Sequence, residues 1–146
     1  MPEHALAGIK NDQKVIDVLQ DITILYAQLS GFEDYYKNVK KPQEVMGLLN
    51  RLFSKFDILC EQYQVYKVHT IGDIYVIMSY TGKVAKEKRT VDDAVVEAYN
   101  ILQVGLQMVE IVAEERKKLK DPLLRHLDIK IGINTGRIVG GISGTK

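Results

Sequence analysis

The chain has 146 residues, 46% hydrophobic and 27% charged, which is the composition of one globular domain and not of a disordered segment. Lys and Arg number 20 against 19 for Asp and Glu, so overall charge predicts no nucleic-acid partner. A single cysteine, Cys60, excludes an internal disulfide and a zinc site of several thiolates, and it favours a reducing, cytoplasmic location.

The N-terminal third predicts one strand followed by two helices. We expect residues 1–20 to form a lead-in with a short helix over residues 13–19, and a β-rich strand over residues 22–27. Capping-box spacing from Ser30 to Glu33 predicts a first helix. Pro42 suits the first turn of a second helix, whose apolar positions recur at helical spacing: Val45, Leu48, Leu49, Leu52, Phe56 and Leu59.

The remaining residues predict a hairpin, a long helix and a final strand region. Residues 65–71 and 74–80 are strand-like and are separated only by Gly72 and Asp73, which is a strong hairpin signal. Thr90 opens a long helix that ends before Pro122. Apolar and polar residues alternate over 127–133, followed by an expected turn at residues 134–136 and a glycine-containing strand. The order predicts an α+β domain of ferredoxin-like βααββαβ topology, with an antiparallel sheet and helices on one face.

No apolar run approaches the roughly 20 residues of a membrane span, and no secretory signal precedes the first strand. We therefore expect no membrane contact by this chain itself, although its parent protein is free to carry an anchor elsewhere.

The end of the first strand and the tip of the hairpin are expected to be neighbours in this sheet. A two-metal site there would take a carboxylate from each element. The tip supplies Asp73, but the strand supplies Gln28, a neutral amide, so only half of such a site is present. Gly31 opens a helix N-terminus suited to phosphate, whereas Glu33 opposes an anion there, and an ordinary capping box explains the pattern equally well.

Four segments resemble the class III nucleotide cyclases, in the order and spacing of that family. They are residues 22–32 (ITILYAQLSGF), 48–57 (LLNRLFSKFD), 66–75 (YKVHTIGDIY) and 129–144 (IKIGINTGRIVGGISG). The resemblance covers residues 21–146, which we take as the domain.

This resemblance implies conversion of ATP or GTP to cyclic AMP or cyclic GMP and pyrophosphate, with two Mg²⁺ or Mn²⁺ ions and two domains paired head to tail. Asp73 matches the second metal aspartate, and Leu29 matches a position whose backbone carbonyl holds a metal. Gly31 and Phe32 match the phosphate-binding turn. His69 occupies the position at which a lysine or a glutamate recognises the purine in other members.

Three residues depart from the family pattern: Gln28 replaces the first metal aspartate, Glu33 replaces a threonine, and His69 is neither base-recognising residue. The chain also stops before the motif that carries the asparagine and the transition-state arginine. We therefore expect an incomplete cyclase domain that is inactive alone and resembles the metal-poor partner of a heterodimer. The alternative is a non-catalytic dimerisation or regulatory module of a larger cyclase. A third class, an RNA-binding domain, is disfavoured because it would need aromatic residues on exposed sheet positions and a basic surface.

Overall fold

The structure, a computed structural model, describes residues 15–32, 42–82 and 85–142. Its four strands form one antiparallel sheet and are β1 (Val15–Ser30), β2 (Tyr66–Ile71), β3 (Ile74–Met78) and β4 (Asp128–Ile142). Their spatial order is β2-β3-β1-β4, so β1 lies centrally between β3 and β4. This order is that of a ferredoxin-like sheet and confirms the predicted fold class.

Two long helices, α1 (Pro42–Tyr63) and α2 (Val91–Lys118), pack on one face of the sheet. Leu25, Ala27 and Leu29 of β1 point toward them and belong to the main core. Alternate residues of β1 point to the opposite face because side chains alternate along a strand. We call this second face the helix-free face, with reference to the two described α-helices. A smaller apolar cluster that includes Ile22 and Met78 covers one end of it.

The helix boundaries follow from local chemistry. Thr90 accepts a hydrogen bond from the backbone N–H of Asp93, and the Asp93 carboxylate accepts one from the backbone N–H of Thr90, which completes the capping box of α2.

By length and composition α2 resembles a membrane-spanning helix, yet a buried stripe including Ile101, Val104 and Met108 packs against the sheet. Cys60 is buried in the core.

A β-bulge interrupts β1 between Leu19 and Ile22. Asp21 adopts a positive φ of 54° there. Arg89 donates hydrogen bonds to the carbonyls of Gln20 and Asp21, at 2.5 and 2.8 Å, and also pairs with Glu97 of α2. The bulge is therefore held by a guanidinium group that satisfies its outward-facing carbonyl groups.

Two sequence predictions were wrong. The helix expected over residues 13–19 is strand from Val15 onward, because these residues pair with the end of β4 at positions such as Leu19–Ile138. The turn expected at residues 134–136 is also strand: Asn134 and Gly136 pair with β1, and the hydroxyls of Thr23 and Thr135 lie 2.8 Å apart. In both places long-range pairing overrides local preference. Residues 33–41, which would carry the first predicted helix, lie outside the described residues.

Candidate functional site

The hairpin tip lies beside the end of β1, as the sequence predicted. Gln28 of β1 is directly paired with Ile74 of β3. The backbone N–H of Leu29 donates a 3.0 Å hydrogen bond to the carbonyl oxygen of Asp73. Gln28, Leu29 and Asp73 are therefore brought together at one end of the sheet, which is the arrangement that a metal site shared between the two elements requires.

A lysine that the sequence analysis did not place at this site lies on the other side of Gln28. Lys130 of β4 is directly paired with Gln28, and both side chains are exposed. Directly paired residues of antiparallel strands project to the same face, so Ile74, Gln28 and Lys130 form one row across the helix-free face. The polar alternation of β4 was visible in the sequence, but only the strand register identifies the neighbour of Lys130.

Gly31 is required by a close crossing of two backbone segments. Its φ is +94°, and a Cβ at this position would lie 2.1 Å from the carbonyl oxygen of His126. Phe32, the next residue, is 4% exposed and belongs to the main core. Gly31 therefore allows the backbone at the end of β1 to pass close to the residues that precede β4. This structural role does not depend on any ligand at the turn. Glu33, the remaining phosphate-binding candidate, lies outside the described residues.

His69 lies on the helix-free face, one row away from Gln28. It is exposed and follows a bulge in β2, and it is paired with Val76, which is in turn paired with Tyr26. Two strand spacings of about 4.8 Å separate the backbones of His69 and Tyr26 by roughly 10 Å. Tyr26 is 53% exposed, so an imidazole and an aromatic ring share this face.

A partly buried polar network fixes the strand behind Asp73. The Tyr75 hydroxyl donates a 2.5 Å hydrogen bond to Oδ1 of Asp57 on α1, and Lys67 forms a 3.1 Å ion pair with the same oxygen. Burial and the bond to Asp57 raise the pKa of Tyr75, and burial raises the pKa of the Cys60 thiol, so both groups stay protonated at neutral pH. These groups hold the hairpin and do not supply a nucleophile or a base.

The residues present do not fit a resident two-metal centre. Within residues 15–32, 42–82 and 85–142, no three His, Cys, Asp or Glu side chains converge as metal ligands. Of the two positions predicted to hold metal ions, 28 and 73, only Asp73 carries a carboxylate, because Gln28 carries an amide. The ammonium group of Lys130 on the row of Gln28 adds positive charge where a divalent cation would need negative charge.

Comparison with known proteins identifies the family. The sequence profile of the adenylate and guanylate cyclase catalytic domain matches residues 15–146. The chain is 34% identical over 146 residues to guanylate cyclase alpha of Plasmodium falciparum, covering 99% of this chain and 3% of that protein. It is 30% identical over 126 residues to guanylate cyclase soluble subunit alpha-1 of Canis lupus familiaris, covering 86% of this chain and 16% of that protein.

Solved structures show the same fold. The guanylyl cyclase domain of a RhoGC fusion protein from the fungus Blastocladiella emersonii superimposes with a TM-score of 0.67 at 21% identity, over 91% of this chain and 66% of that one. The guanylate cyclase domain of RhGC from Catenaria anguillulae, solved in complex with GTP, gives 0.59 at 24% identity, over 83% and 59%. The chain thus spans less than two thirds of each of these proteins, curated or solved. The profile match over residues 15–146, together with the cyclase fold, shows that this chain belongs to the adenylate and guanylate cyclase catalytic domain family.

Proposed function

We propose that this domain is the metal-poor partner in a cytoplasmic nucleotide cyclase dimer. It would pair head to tail with a second catalytic domain, and the pair would convert ATP or GTP to the cyclic nucleotide and pyrophosphate. The observation that carries the proposal is the row Ile74–Gln28–Lys130 beside Asp73, in which one carboxylate stands where the family uses two. Mg²⁺ or Mn²⁺ would be held mainly by the other domain.

The chemistry explains why one carboxylate is insufficient. The ribose 3′-hydroxyl must lose a proton while it attacks the α-phosphate, and the leaving pyrophosphate accumulates negative charge. Metal ions held by paired carboxylates would supply the positive charge that both steps need, and in this chain Asp73 is the one carboxylate at the two matched positions. Replacing one carboxylate by the Gln28 amide removes several kcal/mol of charge stabilisation, and each 1.36 kcal/mol is a factor of about ten in rate.

What this chain offers to a nucleotide is the exposed helix-free face. Tyr26 presents an aromatic ring, and His69 presents an imidazole two strands away on the same row. A purine base stacks favourably on such rings, by about 1–3 kcal/mol per base. Lys130, on the neighbouring row, carries a charge suited to phosphate oxygens. We infer that this face contributes base and phosphate contacts to a site completed by the partner domain.

The first experiment measures cyclic nucleotide formation. The chain alone, with ATP or GTP and Mn²⁺, should form no product, whereas a mixture with a class III domain that retains both metal aspartates should be active. That activity should fall at least tenfold with Tyr26→Ala, which removes the ring from the helix-free face. Robust turnover by the chain alone would overturn the proposal.

The second candidate function, a non-catalytic pairing module, is supported by the lack of convergent metal ligands among the described residues. Activity of the mixture distinguishes the two candidates. If Asp73→Ala, Tyr26→Ala and His69→Ala all leave that activity unchanged, the domain acts as a scaffold.

Metal affinity tests the role of Gln28 directly. Gln28→Asp restores the second carboxylate beside Asp73 and should tighten Mn²⁺ binding at least tenfold, as read from the electron paramagnetic resonance signal of unbound Mn²⁺. Gln28→Asn is the matched control, because it is equally short but neutral, and should leave binding unchanged. Equal affinities for the Asp and Asn variants would show that this end of the sheet is not a metal site.

A further inference from the structure

The row that contains Gln28 has the charge of an anion site. Gln28 is directly paired with Lys130 of β4, and both side chains are exposed on the helix-free face. The third member of the row, Ile74, is apolar, so the formal charge of the row is +1. An aspartate at position 28 would cancel this charge, whereas the amide leaves it in place.

The Gln28 amide can also contact an anion directly. Carboxylate and phosphate oxygens both accept hydrogen bonds, so a carboxylate at this position would need a bridging cation to hold a phosphate group. The Gln28 amide carries two N–H donors, and the Lys130 ammonium group carries three. Directly paired residues on one face have Cβ atoms about 5 Å apart, so both side chains can reach the same phosphate group.

The neighbouring row leaves room for a chain of phosphate groups. Gly132 follows Lys130 by two residues, so it lies on the same face of β4, and it is directly paired with Tyr26. A Cβ on Gly132 would meet no atom within 4 Å. Open space therefore lies over Gly132, beside both Lys130 and Tyr26. The two rows contain no carboxylate that would repel an anion from this space.

The loop before β4 adds a second exposed cation at the same end of the sheet. The backbone of Gly31, at the end of β1, passes against the carbonyl group of His126. Arg125 is the residue before His126, and its Nε donates a 3.2 Å hydrogen bond to Nε2 of the His126 ring. Both side chains are exposed. Because a guanidinium group holds phosphate oxygens through several N–H donors, Arg125 suits the same ligand as Lys130.

The carboxylates at this end of the sheet do not outweigh these cations. Asp128 lies 3.9 Å from a guanidinium nitrogen of Arg116, which offsets its charge. Asp73, at the hairpin tip, is the second carboxylate. Among these residues the cations Lys130, Arg125 and Arg116 stand against two carboxylates, so the local potential favours an anion.

We propose that this end of the helix-free face binds a linear polyphosphate directly, without a divalent cation between the anion and the protein. The Lys130 ammonium group and the Gln28 amide donate hydrogen bonds to the phosphate oxygens, and Arg125 adds positive charge at the turn. The polyphosphate is the triphosphate tail of ATP or GTP or the released pyrophosphate, an identification that rests on the proposed function. A divalent cation on the polyphosphate neutralises part of its charge, so it should weaken binding here.

The test is isothermal titration calorimetry of the full 146-residue chain with inorganic triphosphate. Binding in EDTA should be at least fivefold tighter than binding in saturating Mg²⁺. Equal or tighter binding in Mg²⁺ would overturn the proposal, because a bridging cation would then contribute to the affinity. A chain that binds no triphosphate under either condition would also overturn it.

Two variants locate the binding site. Lys130→Gln should weaken triphosphate binding in EDTA at least tenfold, and so should Gln28→Glu, which keeps the size of the side chain but replaces its donor NH₂ by an oxygen. Lys88→Gln is the matched control, because it removes the same charge from an exposed lysine next to Arg89, which contacts the opposite end of β1. It should leave binding unchanged. Equal losses in Lys130→Gln and Lys88→Gln would show binding by overall charge and refute the site.

ATP and GTP titrated in EDTA identify the source of the polyphosphate. If the nucleotide tail is the ligand, ATP or GTP should bind at least tenfold more tightly than triphosphate, and Tyr26→Ala should remove this advantage without changing triphosphate binding. Nucleotides that bind no more tightly than triphosphate would support a site for free polyphosphate. The proposed function is judged separately, by cyclic nucleotide formation in the mixture with a complete domain. An inactive mixture with metal-independent binding would refute only that function, whereas an active mixture with Mg²⁺-dependent binding would refute only the direct contact.

Discussion

Replacing Gly31 by alanine should destabilise the domain severely, because two independent costs coincide at this position. The φ of +94° lies in the region that L residues rarely adopt, at a cost of about 1–2 kcal/mol. The added Cβ would lie 2.1 Å from the carbonyl oxygen of His126 and 2.7 Å from the backbone nitrogen of Leu127. These are backbone atoms, so no side chain can rotate away, and the forced shift adds about 2–3 kcal/mol. We expect a total loss of about 3–5 kcal/mol.

Gly72 provides a matched control for this variant. It also has a positive φ, +58°, but an added Cβ would meet no atom within 4 Å. Gly72→Ala should therefore lose only the conformational contribution of about 1–2 kcal/mol. With a urea m-value of about 2 kcal/mol/M, the unfolding midpoints of the two variants, followed by circular dichroism, should differ by about 1–1.5 M. Equal midpoints would refute the close crossing of the Gly31 and His126 backbones.

Other predictions concern the contacts that hold the helices and the hairpin. The hydrogen bond from Lys55 lowers the pKa of the buried Glu115. The stabilisation of the fold by the ionised Glu115 is therefore fully present above the ordinary Glu pKa of about 4.3 and is lost as the pH falls through the lowered pKa. Glu115→Gln should lower the free energy of unfolding by about 2 kcal/mol at pH 7, which is less than for a fully buried ion pair because the cations that contact Glu115 are partly exposed. The variant should also lose less stability than the wild-type chain as the pH falls into the acid range. Glu114→Gln is the control, because Glu114 is exposed, and it should have neither effect. Thr90→Ala should cost about 1 kcal/mol in urea unfolding by removing the N-cap of α2, and an unchanged midpoint would contradict the capping geometry. Tyr75→Phe should cost about 1 kcal/mol through the lost phenol hydrogen bond, whereas a stabilised variant would show that this bond does not hold the hairpin.

Local sequence signals predicted the elements whose boundaries are set locally. Pro42 begins α1, Thr90 caps α2, and Gly72 with Asp73 turns the hairpin, as expected from their turn and capping chemistry. The topology then followed from the order of elements. The adjacency of Asp73 and Gln28 was predicted for the same reason, because it depends only on which strands are neighbours.

The remaining features depend on contacts between distant parts of the chain. Asn134 and Gly136 are typical of a turn, and only their pairing with β1 makes them strand. The position of Lys130 beside Gln28 depends on the exact register of β4, because a slip of one residue would move the Lys130 side chain to the opposite face of the sheet. The requirement for Gly31 likewise comes from the backbone of His126, which no local pattern specifies.

The bulge in β1 divides that strand into two phases of the inside–outside pattern. Three steps along β1, from Leu19 to Ile22, match only two along β4, from Ile138 to Gly136, so Leu19 and Ile22 reach the same apolar cluster despite their odd spacing. Deleting Asp21 would leave two steps along β1 against two along β4, so the strand would pair regularly and Leu19 would remain in the same apolar cluster. Loss of one residue should consequently be tolerated better at this bulge than at a regularly paired position such as Thr23, where it would move one part of the strand to the opposite side of the sheet.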